Sequence, residues 1–88
     1  MEKSILQQIL EERFDCYSYS GRAMYGETCL AVNDDGRGLG EVMATIIRGA
    51  IEEGSGAKIA DAVSEMRTDS MGRGTVVYFP GVAFVEGA

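Results

Sequence analysis

The chain has 88 residues, 45% of them apolar and 25% charged, with a net charge of −6 and no histidine. That balance excludes an extended disordered segment and fits one small globular domain spanning residues 1–88. The acidity argues against a protein that coats nucleic acid nonspecifically, since that mode needs basic surface to displace counterions. No apolar run approaches the ~20 residues of a membrane span.

The N-terminal stretch MEKSILQQILEERF has neither the basic start nor the continuous apolar core of a secretion signal. A cytoplasmic protein with reduced thiols is expected. Ser4 followed by Gln7 has the form of a capping box, and Ile5, Leu6, Ile9 and Leu10 form an apolar stripe at helical spacing, which predicts a helix over residues 4–14. Cys16-Tyr17-Ser18-Tyr19-Ser20 and Thr28-Cys29-Leu30-Ala31-Val32 then read as the arms of a β-hairpin around a Gly21–Gly26 loop. Cys16 and Cys29 flank that loop, so a disulfide across the hairpin is geometrically conceivable although the compartment argues against it. Two cysteines without histidine do not make a closed zinc site, and neither metal nor cofactor is expected.

Asn33-Asp34-Asp35-Gly36-Arg37-Gly38 is turn chemistry. Leu39, Val42, Met43, Ile46, Ile47 and Ala50 follow with the spacing of one helix face, and the helix should stop near Gly54. Gly36–Glu41 sits where a phosphate-binding turn belongs, yet it lacks both the dinucleotide fingerprint and a Walker lysine, and Asp34, Asp35 and Glu41 would repel an anion. An EF-hand fails on the same stretch, because Ala31 and Val42 would fall at its first and twelfth ligand positions. Residues 57–68 suit a short helix followed by a strand. Thr75–Phe79 is a strong strand run ended by Pro80-Gly81, and Gly81–Val85 is an apolar tail for an edge strand or an oligomer contact.

The expected fold is therefore α+β, two helix-hairpin units in the order α-β-β-α-β-β with one antiparallel sheet packed on helices, with room for one further helical turn. A core this small is marginal alone, so association into a homo-oligomer is expected, through Val76–Phe79 and Val82–Val85.

Six of the eight basic residues are arginine, and Arg22, Arg37, Arg48 and Arg73 each adjoin glycine. Arginine grips phosphate or carboxylate through a planar fork, and glycine lets backbone amides approach a ligand. Arg22 and Arg73, in the loops Ser20–Gly26 and Asp69–Gly74, are the leading ligand-binding candidates. Tyr25, Gly21, Gly26, Asp69, Ser70 and Gly72 stand beside them, and Tyr19, Tyr25 or Tyr78 would stack on a base. Arg37 and Arg48 read more simply as loop and helix-surface residues. Without histidine there is no usual general base for a serine or cysteine nucleophile, so Ser70 beside Asp69 reads as turn chemistry and no catalytic residue is assigned.

The two segments Tyr19-Ser20-Gly21-Arg22-Ala23-Met24-Tyr25-Gly26 and Asp69-Ser70-Met71-Gly72-Arg73-Gly74-Thr75-Val76-Val77-Tyr78-Phe79-Pro80-Gly81 resemble motifs of small bacteriophage accessory proteins of uncharacterised function. The resemblance covers about a quarter of the chain. It implies a phage origin and an accessory role, and by analogy an action against a host defence. Three readings follow: a non-enzymatic binder that sequesters a phosphate-bearing nucleotide signal, an inhibitor that docks on a host defence protein through an acidic surface containing Glu11, Glu12, Asp15, Asp34, Asp35, Glu52 and Glu53, or a structural oligomer.

Overall fold

Ser4 starts the first helix as its side chain dictates, with Oγ accepting the Gln7 backbone N–H at 3.1 Å. In the computed structural model, which describes residues 2–20, 27–72 and 74–86, this helix α1 covers Ile5–Glu11. The stretch to Phe14 continues as turns, with the Arg13 and Phe14 amides both donating to the Leu10 carbonyl. The reciprocal half of the expected capping box does not form. Gln7 is fully buried, and its amide instead donates to the Val85 carbonyl at 2.7 Å and accepts the Val85 N–H at 3.0 Å.

Strands β1 (Cys16–Tyr19) and β2 (Cys29–Asn33) follow, then helices α2 (Leu39–Glu53) and α3 (Gly56–Ser64), then strands β3 (Arg67–Met71) and β4 (Gly74–Phe79). The fold is α+β, as expected, and the extra helical turn is a full helix. α2 ends on Gly54 in the left-handed region, with φ 66°. The strands form one antiparallel sheet in the order β1-β2-β4-β3, so the two hairpins join through the central β2–β4 pair.

Strand alternation sends Leu30, Val32, Val77 and Phe79 into the main core against Leu6, Ile9 and Leu10 of α1 and Val42, Ile46 and Ala50 of α2. On the opposite face lie Cys29, Ala31, Val76 and Tyr78, with Tyr17 and Tyr19 packed on them. The β4 run on which oligomerisation was expected to rest is thus interior: Val76, Val77, Tyr78 and Phe79 are all buried. The apolar tail is no edge strand. Val82 accepts the Leu30 N–H at 2.8 Å, and Val82 and Phe84 pack on the main core, so this segment is used up within the chain.

The two cysteines do not bond each other. Cys16 sits opposite Val32 in the register and Cys29 opposite Tyr19, an offset of three residues that sends their side chains to opposite faces of the sheet. Burial, with Glu11 and Asp15 nearby, pushes the Cys16 thiol up to about 12, which leaves it inert at neutral pH.

Candidate binding site

The second hairpin turn is shorter than the sequence suggests, because Asp69, Ser70 and Met71 belong to β3. Met71 pairs with Gly74 across a two-residue loop, and Gly72 takes φ 60° at its first position, as both favoured two-residue hairpin turns require. Gly74 has a different role. A Cβ there would stand 2.8 Å from the side-chain oxygens of both Asn33 and Asp34.

Those two oxygens organise the turn that feeds α2. Asn33 accepts the Asp35 N–H at 2.8 Å, while one Asp34 oxygen accepts the Gly36 N–H at 2.9 Å and the Thr75 N–H at 3.1 Å. These amides hold the Asp34 carboxyl below its ordinary range, with the Thr75 amide the largest cause. Asp34 is only 3% exposed, so it is removed from the acidic surface on which it was counted. Arg37 is likewise occupied: its guanidinium donates to the Arg13 carbonyl and lies 3.9 Å from the centre of the Phe14 ring.

Asp69 lies within β3. Its carboxylate accepts the Tyr19 hydroxyl at 2.5 Å, across the whole sheet, since β1 and β3 are the opposite edges. In a flat sheet the two Cα atoms would stand roughly 19 Å apart, from three strand spacings of ~4.8 Å and four residues of ~3.3 Å. Twist closes that gap by lifting diagonally opposite corners toward the same face. Short side chains at Cys29, Ala31 and Val76 leave room for the Tyr19 ring, which meets Tyr78 at 4.9 Å and Tyr17 edge-on at 6.4 Å.

The drawn-together corners form a polar cleft of about 360 Å³ lined by Tyr19, Ser20, Asp69 and Ser70. Ser20 leads into the first glycine-arginine loop, and Ser70 lies two residues before Gly72 of the second, so the approaches to both loops meet here. Of the expected site residues, Asp69 and Ser70 line the cleft and Gly72 sits in the adjoining turn. Arg22, Tyr25, Gly21, Gly26 and Arg73 lie outside the described residues. Tyr78 is excluded as a stacking platform because it is 4% exposed. The Tyr19 hydroxyl, held by its bond to Asp69, is pushed up to about 12 and stays protonated at neutral pH.

Comparison with family models, with curated proteins and with solved structures found no match to this chain. The chemistry of the cleft therefore has to be read from its own groups. Asp69 is an acceptor, Ser20 and Ser70 each donate and accept, and Tyr19 is committed to Asp69. Among the described residues there is no cluster fit to hold a metal ion, and no helix is long and apolar enough to cross a membrane.

A second concavity lies among the helices. It is an apolar groove of about 630 Å³ between α2 and α3, bordered by Met43, Ile47 and Ile51 on one side and Ile59, Ala60 and Val63 on the other. Leu39 and Ile47, which belong to the apolar face that predicts α2, are 40% and 55% exposed. The signal was present in the spacing: Val42, Ile46 and Ala50 form the stripe that faces the sheet, and Leu39, Met43, Ile47 and Ile51 form a second stripe beside it.

Proposed function

We propose that this chain is a non-catalytic binding protein that holds a phosphate-bearing nucleotide between its two hairpins. The observation that carries the reading is the single cleft shared by Ser20 and Ser70, since an arginine follows two residues after the first and three after the second. In this reading Arg22 and Arg73 grip the phosphate through their bidentate forks, and Gly21, Gly26 and Gly72 let backbone amides approach it. Tyr25 stacks on the base, and the acceptor sites of Asp69 left over from Tyr19, with the two serine hydroxyls, take the donors of base and sugar. A tyrosine kept protonated and a carboxylate already engaged suit retention of a ligand rather than its turnover.

The phage resemblance extends the proposal to a role: a cytoplasmic accessory protein of the infected cell that sequesters a nucleotide signal of host defence without altering it. An inhibitor docking through an acidic surface has less support, because Asp34 is buried and Glu11 is bridged to Lys3 at 2.9 Å.

Thermal-shift measurements against cyclic and linear nucleotides test the reading. A bound nucleotide at 100 times its Kd adds about 2.7 kcal/mol, a rise on the order of 10 °C for a domain of this size. The rise should vanish in Arg22→Ala and Arg73→Ala, and the nucleotide should be recovered unchanged by mass analysis. No rise across the panel, or conversion of the nucleotide, would overturn the proposal.

A further inference from the structure

The polar cleft is lined by one carboxylate, Asp69, and by the hydroxyls of Tyr19, Ser20 and Ser70. A carboxylate repels phosphate, so the end of a nucleotide that enters this cleft is the base. What the base must offer is then set by the state of Asp69. Its backbone is held in β3 opposite Val76, and its Oδ2 accepts the Tyr19 hydroxyl at 2.5 Å. The Tyr19 ring is in turn held against Tyr78 and Tyr17. The carboxylate is thereby fixed before any ligand arrives.

Oδ1 of Asp69 accepts no hydrogen bond from any described residue. Each carboxylate oxygen has two lone pairs, so both oxygens still have capacity after Tyr19 is served. Asp69 has no proton to give, and the Tyr19 hydrogen is already committed to Oδ2. Among the described lining residues, only the Ser20 and Ser70 hydroxyls are left to donate to an acceptor on the base.

The bases differ in the hydrogen-bonding edge they present. Guanine sets two donors side by side, N1–H and the N2 amine, with the O6 acceptor next to them. Adenine and cytosine each place one amine beside a ring-nitrogen acceptor, and uracil places a single N–H between two carbonyls. Two fixed carboxylate oxygens match the adjacent donors of guanine, a charge-assisted two-point contact. Against the other bases one oxygen faces a lone pair or has no partner.

Resting on the nucleotide reading above, we propose that Asp69 selects guanine, with its two carboxylate oxygens receiving N1–H and the N2 amine and a serine hydroxyl of the cleft donating to O6. Asp69 is the specificity-determining residue of the cleft, and the class of ligand narrows from nucleotides to guanine nucleotides.

Isothermal titration calorimetry of the full chain with GDP, IDP, ADP, CDP and UDP tests it, since all five carry the same phosphates and the first two differ only in the N2 amine. GDP should bind tightest. IDP should bind roughly 10- to 100-fold more weakly, for the loss of one hydrogen bond to a charged group, and ADP, CDP and UDP at least about 100-fold more weakly. Asp69→Asn places an amide donor against the N2 amine, so it should weaken GDP by about 100-fold or more. It should also bind xanthosine diphosphate more tightly than the wild type does, because xanthine carries a carbonyl where guanine carries that amine. Equal affinity for the five diphosphates, or preference for another base, would overturn the guanine assignment and leave the nucleotide reading standing. Failure of all five to bind would overturn both. A preference for GDP that survives Asp69→Asn unchanged would overturn the assignment to Asp69. The wild-type series decides the base even if Asp69→Asn does not fold.

Discussion

The Tyr19 hydroxyl and the Asp69 carboxylate are a single hydrogen bond linking opposite edges of the sheet, and their chemistry is set by each other. The bond stabilises the neutral phenol, so the folded-state pKa rises to about 12, above the ordinary tyrosine value of about 10. The linked stability is fully present below the ordinary value and is lost as pH climbs through the raised one. In a phenolate absorbance titration, the wild type should show a tyrosine ionising near pH 12 that is missing in Tyr19→Phe, and Asp69→Asn should bring it down toward the ordinary range. A Tyr19 titration unchanged by Asp69→Asn would mean that the carboxylate is not its cause. Both residues stood out in the sequence, one as a stacking aromatic and one as a loop carboxylate. Their partnership did not, because they are separated by 50 positions and meet only through the twist of four strands.

Among the elements, α1 and α2 meet at a point where no side chain fits. A Cβ on Gly49 would overlap the side chain of Ile9, which is itself buried. Alanine in place of glycine ordinarily adds about 1 kcal/mol to a helix, but overpacking a core costs about 1–3 kcal/mol. Gly49→Ala should therefore lower Tm in the wild-type background and raise it when combined with Ile9→Ala, where the space has been opened. Equal effects in the two backgrounds would show that Ile9 is not the obstacle. The helix itself is evident from the spacing of Val42, Ile46 and Ala50. Which stripe of it goes inward is decided by the sheet and α1, and Leu39, Ile47 and Ile51 of the leftover stripe become surface while Met43 stays half-buried against the core.

At the scale of the whole molecule, the two ends of the described chain are fastened together by the buried amide of Gln7, which serves both backbone groups of Val85. Gln7→Leu keeps the bulk and leaves that peptide pair without partners, so urea unfolding should report a loss of about 1–3 kcal/mol. A stability within error of the wild type would mean that water replaces the amide and that the tail is not part of the cooperative unit. The tie also accounts for the failure of the capping box: a buried glutamine next to an unpaired backbone segment gains two hydrogen bonds there, where a return to its own helix start offers one.

Local chemistry alone determined much of this protein. Periodicity marked α1, α2 and the strands, Gly54 marked a helix end, turn residues marked the 33–38 loop, and the lack of histidine and of a long apolar run narrowed the chemistry. These are short-range properties, carried by neighbours within a turn or a hairpin. The tertiary structure alone decided that Cys16 and Cys29 face opposite ways, that Asp34 is a buried anchor for Thr75 and Gly36, that the tail packs inward, and that the approaches to the two glycine-arginine loops share a cleft. Each of these depends on strand register, sheet twist or the packing of distant segments, and those follow from how the elements meet rather than from the residues next to one another.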